Sequence, residues 1–393
     1  MSARNLPSLQ ELKEFFDPKS QALNFLLKSE DVFPPANAQL WNKYFKQAEF
    51  STPIQPNGSA IFSGGTITRL TPPMLLPRGT WSPPSEFTKG GFEFYFDALH
   101  DLGGMKVITA MDLMNYDKKA QQLGGSTVNG GSNVIDYFIQ NLQDLVTGGN
   151  SVYTYLSMQL LSKGEWEYTS PHYGFKIHGI CDRVRPEFKI KASTLLWSDP
   201  DAPILADLQR AVKLIRDKTG YEGVLTAKMS RTKFIDEVQT NNEIRNLLKG
   251  MLVTGGIIFD VNKIITIEYL NQWLSQQGGY YPLIELIEEH QVIQDIPTVK
   301  IDVNGWEKQM VIVSPAGQQG TIEWAYPEEL IYLAKYSNRS VGQLQGGLFG
   351  VLNWERPESH VPSFETHVYT LGAPALAVYP YWVQIDTSQV EPT

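Results

Sequence analysis

Apolar residues recur at spacings of three and four from Ile135 to Leu161, through Phe138, Ile139, Leu142, Leu145, Val146, Val152, Tyr153, Leu156 and Leu160. That period predicts an amphipathic helix. At 1.5 Å per residue a run of roughly 30 residues measures about 45 Å. Gly148-Gly149 near its middle predicts a kink or break. Ahead of this run the pattern is shorter and often interrupted. Leu9 to Phe16 and Gln21 to Leu27 read as short helical pieces, and Pro34, Pro35, Pro53 and Pro56 then stop any long element, as in an extended arm. From Ser59 to Met111 short β-type runs are broken by Gly64-Gly65, Pro72-Pro73, Pro83-Pro84 and Gly90-Gly91, which predicts a long two-stranded excursion. Gly124 to Ser132 reads as a glycine-rich connector.

Beyond the long helix, Tyr173, Phe175 and Ile177 alternate with His172, Lys176 and His178, the period of a half-buried strand. A second domain begins near Ser198. There Asp199-Pro200-Asp201-Ala202-Pro203 opens a helix with Ile204, Leu205, Leu208, Val212 and Ile215 on its apolar face, closed by Arg216, Lys218 and Gly220. Ser230 caps a short helix through Val238, Thr240-Asn241-Asn242-Glu243 forms a capping box for a helix ending before Gly250, and Thr266 to Gly278 repeats the cap-to-glycine plan. Strands follow at Tyr281 to Ile287, Thr298 to Val303 and Glu307 to Ser314, the last two joined by Asn304-Gly305, which predicts a hairpin. Leu376 to Ile385 reads as a closing strand, placed at a sheet edge by Pro380. The fold class is α+β.

A length of 393 residues fits one or two domains, and 42 % hydrophobic residues with 18 Phe, 18 Tyr and 9 Trp exclude a disordered chain. The single cysteine, Cys181, makes no intrachain disulfide and leaves no CxxC pair. Arg4, Glu11, Lys13 and Glu14 interrupt the start, so no export signal is expected. Leu371 to Ile385, with Pro374 and Pro380, falls short of a membrane span, which predicts a soluble chain made in a cytoplasm. A net charge of -9 opposes a sequence-independent grip on phosphate backbones.

The search for chemistry returns little. No GxxxxGK[ST], HExxH or G-x-S-x-G motif is present, and no GxGxxG follows a strand. His172, His178 and Cys181 are the one triple that suggests metal ligands, but strand parity points Cys181 away from both histidines. Glu165 with Glu167, Glu285 with Glu288, Glu289 and His290, and Glu328-Glu329 are carboxylate clusters that read as solvated faces. No residue is assigned a catalytic, cofactor-binding or metal role, no cofactor is expected, and the chain is not read as an enzyme. Trp306, Trp324, Tyr326, Tyr381 and Trp382 fit either a carbohydrate groove, as in a monomeric glycan-binding or glycan-processing protein, or core and interface packing.

The order of parts, together with specific residues, resembles a known family. Leu195-Leu196-Trp197-Ser198-Asp199-Pro200-Asp201-Ala202-Pro203-Ile204 and the helix to Thr219-Gly220 are similar to a Trp, Asp-Pro, Pro-Ile and helix segment. Met229-Ser230, Phe234, Asn242 and Arg245 match a Met-Ser strand exit and an Asn-x-x-Arg helix, and Ser314-Pro315-Ala316-Gly317-Gln318-Gln319-Gly320 resembles a late Pro-x-Gly-x-x-Gly turn. The family is that of the lambda major capsid protein E, with the Hong Kong 97-like fold of tailed-phage major capsid proteins. The resemblance covers about Phe87 to Ala325, with the first residues and the last ~60 matching in style only, and it implies an N-terminal arm (1–57), an E-loop region (58–130), a P-domain with a spine helix (131–197), an axial A-domain (198–350) and a C-terminal segment (351–393). It further implies hexamers and pentamers closing an icosahedral virion shell around double-stranded DNA. Portal, scaffold and decoration proteins are the implied partners, no membrane is involved, and assembly takes place in the host bacterial cytoplasm. An encapsulin-like compartment shell on the same fold is the alternative.

Overall fold

The computed structural model describes residues 40–48, 61–67, 92–109, 111–112, 115, 130–169, 176–181, 184–254, 265–287, 291–296, 299–303, 305–325, 340–344, 347–356 and 363–392. In chain order the strands and long helices are β1 (Phe45–Gln47), β2 (Ile61–Ile67), β3 (Phe92–Ala98), β4 (His100–Thr109), α1 (Gly130–Lys163), β5 (Glu165–Thr169), β6 (Lys176–Ile180), β7 (Lys189–Ala192) and α2 (Ile204–Thr219). There follow β8 (Leu225–Ser230), α3 (Asn242–Thr254), α4 (Ile267–Gln276), β9 (Leu283–Ile287), β10 (Gln291–Ile296), β11 (Val299–Val303) and β12 (Met310–Pro315). The last five strands are β13 (Gly320–Ala325), β14 (Ser340–Leu344), β15 (Phe349–Arg356), β16 (Ser363–Leu376) and β17 (Val383–Val390). The class is α+β, as the residue pattern predicts. The short helical pieces expected before residue 28 lie outside the described residues.

One sheet is built around the 14-residue β16. β4 runs along one flank of it from Thr109↔Ser363 to His100↔Gly372, all antiparallel. β15 and β13 divide the other flank, and β14 and β1 extend them in turn. The second sheet has the order β7-β17-β12-β8-β9. Two-stranded ribbons form from β2 with β3, β5 with β6 and β10 with β11. The predicted excursion is therefore present as the β2–β3 ribbon.

Helix α1 joins the two sheets. From Tyr153 to Ser162 all its residues are buried except the half-buried Tyr155, because the helix is enclosed on several sides rather than amphipathic there. Its C-terminal carbonyls are satisfied from far along the chain: Trp382 Nε1 donates to Leu161 O at 2.9 Å, and Gln384 Nε2 donates to Ser162 O at 3.1 Å. The break expected at Gly148-Gly149 does not occur, and the helix is continuous over 34 residues. Gly149 is needed for packing: a Cβ there would clash with the Cε1 edge of the Phe349 ring, which packs edge-on to Tyr153 at 6.1 Å. That burial outweighs the helix cost of about 1 kcal/mol per glycine. Gly130 to Ser132, expected in a flexible connector, form the first turn of α1.

The α2 region folds as its pattern predicts. Ile204, Leu205, Leu208, Val212 and Ile215 are buried, and Gly220 adopts φ 67° while its N–H bonds Arg216 O. This face packs on Ala227, Met229, Ile284, Val311, Val313, Val383 and Ile385 of the five-stranded sheet, with Leu248 of α3 and Leu270 and Leu274 of α4. Ser230 Oγ accepts from Lys233 N at 3.1 Å and starts the short helical turn that continues to Val238. The capping residue of α3 is Asn241, not Thr240: Asn241 Oδ1 accepts from Ile244 N at 3.1 Å, while Thr240 Oγ1 bonds back to Asp236 O. The helix also continues past Gly250 to Thr254.

Two strand expectations are corrected. Val299–Val303 pairs with β10, not with Met310–Pro315, which lies between β17 and β8. Gly305 instead permits close approach, since a Cβ there would lie 2.6 Å from Tyr155 O of α1. Leu376 to Ile385 is not one edge strand: Pro380 sits in a 3-10 turn, Tyr379–Tyr381, where no ladder hydrogen bond is demanded of it. The strand that follows, β17, is interior, between β7 and β12.

Candidate assembly surface

The carboxylates that sequence singled out are dispersed. Glu165 and Glu167 are exposed on β5, and Lys176 Nζ pairs with Glu167 at 2.8 Å. The hydrogen bond and charge of that lysine hold the Glu167 carboxyl below the usual range. Both acids line an open pocket of about 510 Å³ with Lys163, Trp166, His178 and Ile180. His178 stands opposite Glu167 in the β5–β6 register, and Cys181 is buried in the core around α1, as a small core residue. His172, Glu288, Glu289, His290, Glu328 and Glu329 lie outside the described residues. Among the described residues no three His, Cys, Asp or Glu groups come together as a metal site. The tryptophans Trp306, Trp324 and Trp382 are buried in the core around α1, and Tyr381 packs on Tyr221 at 5.1 Å, so these aromatics fill interiors rather than line a groove. Tyr326 lies outside the described residues.

Two buried lysines escape the sequence pattern. Lys228, in a strand buried on both faces, donates to Thr226 Oγ1 at 2.6 Å, Ser314 Oγ at 2.9 Å and Pro315 O at 3.2 Å. Burial lowers its amine to about 8, against the opposing pull of Glu285. Lys233 bonds Glu237 Oε2 at 2.7 Å and Thr387 Oγ1 at 2.6 Å, and burial lowers its amine too. A lysine between Ala227 and Met229 in a strand pattern is the one clue the sequence holds to the first.

Residues 41–47 are anchored on α1 and β13. Trp41 Nε1 donates to Asn150 Oδ1 of α1 at 3.0 Å, and Tyr44 O accepts from Gln319 N at 2.6 Å. Phe45 to Gln47 add a short parallel strand to β13. Tyr44 OH and Lys43 Nζ reach Glu285 Oε1 at 3.0 and 2.8 Å, so one carboxylate gathers this segment, and its other oxygen lies 4.0 Å from Lys228 Nζ.

Two surfaces stand out from this packed interior. The first is the β2–β3 ribbon, paired antiparallel from Ile61↔Ala98 to Ile67↔Phe92. Among the described elements these two strands pack substantially only on each other. An isolated two-stranded ribbon is at best marginally stable in water.

The second face is the outer side of the β16 sheet. Its inner side packs on α1: Tyr153 OH and Thr370 Oγ1 are 2.6 Å apart, and Lys106 Nζ reaches Asn141 Oδ1 and Asp144 Oδ2 at 3.0 and 2.6 Å. The alternate positions face outward. On β4 these are Gly103, Met105 (55 % exposed) and Val107 (41 % exposed), across from Tyr369, His367 and Glu365 of β16. A sheet with one solvated face ordinarily alternates apolar in and polar out. Met105 and Val107 break that rule on β4, as expected where another surface covers them.

No family model and no curated protein matches the chain. Among solved structures it is similar to a phage-related protein from Bordetella bronchiseptica RB50, at 11 % identity over 91 % of this chain and 94 % of that one, with a TM-score of 0.44. It is similar to the mature capsid of bacteriophage PhiM1 at 9 % identity over 88 % and 86 %, with a TM-score of 0.42. It is likewise similar to the virus-like particle from Pyrococcus furiosus at 12 % identity over 88 % and 92 %, with a TM-score of 0.34. At such identities and TM-scores these likenesses assign the chain neither a family nor a function.

Proposed function

We propose that this chain is a structural subunit that assembles with copies of itself into a closed shell, in the manner of a tailed-phage major capsid protein. The observation that carries the reading is the β2–β3 ribbon, whose strands pair with each other and make no other substantial contact among the described elements, next to a β4 that leaves Met105 and Val107 exposed. β3 runs into β4 with only Leu99 between them. On this reading the ribbon of one copy lies on the β4 side of a second copy. Two different patches meeting in this way make a heterologous contact, which closes rings when the rotation between copies is a fraction of a turn.

On this reading the parts are an arm (1–57), an E-loop region (58–130), a P-domain with the spine helix (131–197), an A-domain (198–350) and a returning C-terminal segment (351–393). Rings of five and six subunits form an icosahedral head around double-stranded DNA. Portal, scaffold and decoration proteins are its further partners, and assembly takes place in a bacterial cytoplasm. The net charge of -9 suits a wall that encloses packed DNA without adhering to it. Catalysis has no part in this role. Among the described residues no helix is long and apolar enough to cross a membrane.

The test is negative-stain electron microscopy with size-exclusion chromatography on the full chain, alone and with its neighbouring phage proteins. Closed shells, tubes or rings support the reading, and nucleic acid rather than cargo protein inside separates a phage head from an encapsulin-like compartment. A monomer under every condition overturns it.

A further inference from the structure

Among the described strands, β9 and β7 are the two borders of the five-stranded sheet. β9 pairs in parallel with β8 on its inner side. On its outer side one residue of α4 takes both backbone polar groups of Ile284. The Ile284 N–H donates to Asn271 Oδ1 at 2.7 Å, and Asn271 Nδ2 donates to Ile284 O at 2.8 Å. A carboxamide presents an acceptor and a donor in one plane, as a peptide group does, and both distances are those of a regular ladder. Asn271 therefore stands where the next strand would stand. Along a strand, alternate residues point their N–H and C=O to the same side, so only Ile284 and Leu286 of these five residues face outward.

The opposite border is managed differently. β7 is four residues long and carries Lys189 and Lys191. Lys191 O accepts from Arg210, Lys191 N donates to Glu391 Oε1 at 3.4 Å, and Arg210 Nη1 meets that same oxygen at 3.2 Å. Shortness and lysines are ordinary deterrents to edge pairing. β9 has neither lysine nor proline: its sequence is Leu-Ile-Glu-Leu-Ile. A strand of that composition with an open edge is a template for pairing with other chains. What lies over it is α4, held to the core by Leu270 and Leu274 and to the strand by Asn271. The turn between α4 and β9 contains Gly278 and Gly279, both at positive φ, where the chain can pivot at low steric cost.

We infer that Asn271 latches α4 over the β9 edge and so keeps the five-stranded sheet from accepting a strand of a second copy. The latch is an autoinhibitory contact, and it is independent of the shell reading: a chain that stays monomeric needs it as much as one that assembles.

The experiment is hydrogen exchange by mass spectrometry over residues 283–287, with thioflavin T fluorescence, on the full chain as wild type, Asn271→Ala, Asn271→Asp and Gly149→Ala. In dilute Asn271→Ala, exchange of the Ile284 amide should quicken about tenfold. At higher concentration that variant should form thioflavin-positive oligomers in which residues 283–287 exchange slowly again. Asn271→Asp keeps an acceptor for the Ile284 N–H and puts a negative charge at the edge, so it should lose stability without forming such oligomers. Gly149→Ala perturbs the other core and reports what destabilisation alone does. The latch is overturned if Asn271→Ala stays dispersed at every concentration, if Gly149→Ala forms the same oligomers, or if the oligomers leave residues 283–287 open to exchange. A wild-type Ile284 amide that exchanges as fast as an open one also overturns it, whether or not the variants fold. Should Asn271→Ala fail to fold, Asn271→Ser, whose side chain is too short to make both bonds, takes its place with the same expected outcomes. Shells of intact subunits do not bind thioflavin T in this way, so loss of shell assembly and loss of the latch are read separately.

Discussion

Asp207, in the first turn of α2, accepts the indole N–H of Trp197 at 2.8 Å on one carboxylate oxygen and the backbone N–H of Ser193 at 3.0 Å on the other. Both Asp207 and Trp197 are buried. A carboxylate is tolerated there because it faces the positive end of a helix and is hydrogen-bonded on both oxygens. Exchanging Trp197→Phe removes one donor and leaves a charged acceptor unmet. The expected loss is about 2 kcal/mol, read as a lower urea midpoint with unchanged slope.

Lys228 makes stability depend on alkaline pH. Its amine is lowered from 10.5 to about 8 by burial, so the unfolded chain binds more protons between those values and folding is favoured as pH rises through them. The penalty is complete below 8. Relative to Lys228→Met, wild type should gain up to about 3 kcal/mol on going from pH 8 to 10.5. Comparing the two in chemical denaturation at several pH values checks this, and parallel profiles would contradict the assignment.

The two glycines in the middle of α1 should behave oppositely. Gly149→Ala drives a methyl group into the Phe349 ring and should lower stability by about 1–3 kcal/mol. Gly148→Ala meets open space and should raise stability by up to about 1 kcal/mol. Thermal melts of the two variants are the measurement, and equal effects would refute the packing role given to Gly149.

Met105→Asp tests the exposed side of β4 at a position 55 % open to solvent. The expected outcome is loss of rings and shells in electron micrographs, with circular dichroism and melting temperature unchanged to within a degree or two. Wild-type assembly in this variant would remove that side of β4 from the interface.

Local signals were readable along the chain wherever the local optimum and the tertiary optimum agree. The apolar stripe of α2, its glycine end and the Ser230 cap all act within one or two turns, and the structure places them as the sequence implies. Signals that compete with long-range packing misled. Asn304-Gly305 carries a hairpin signature, yet Gly305 serves its contact with Tyr155, and Gly148-Gly149 carries a helix-break signature overridden by Phe349 from 200 residues away. The outer sheet face could not be found by pattern alone, since Met105 and His367 come together only through strand register. Lys228 was equally hidden, because its acceptors Ser314 and Pro315 come from a strand 86 residues or more along the chain.

The position of β17 governs when the molecule can finish folding. Its residues 383–390 enter between β7 and β12, and Trp382 and Gln384 close the end of a helix that left the ribosome more than 200 residues earlier. Until they arrive, the five-stranded sheet is split and the α1 carbonyls depend on water. Such a high separation of partners slows the last step of folding and exposes two strand edges while synthesis continues. A nascent chain therefore cannot complete its second sheet until residues 383–390 have been made, and its unpaired strand edges stay open to wrong partners until then.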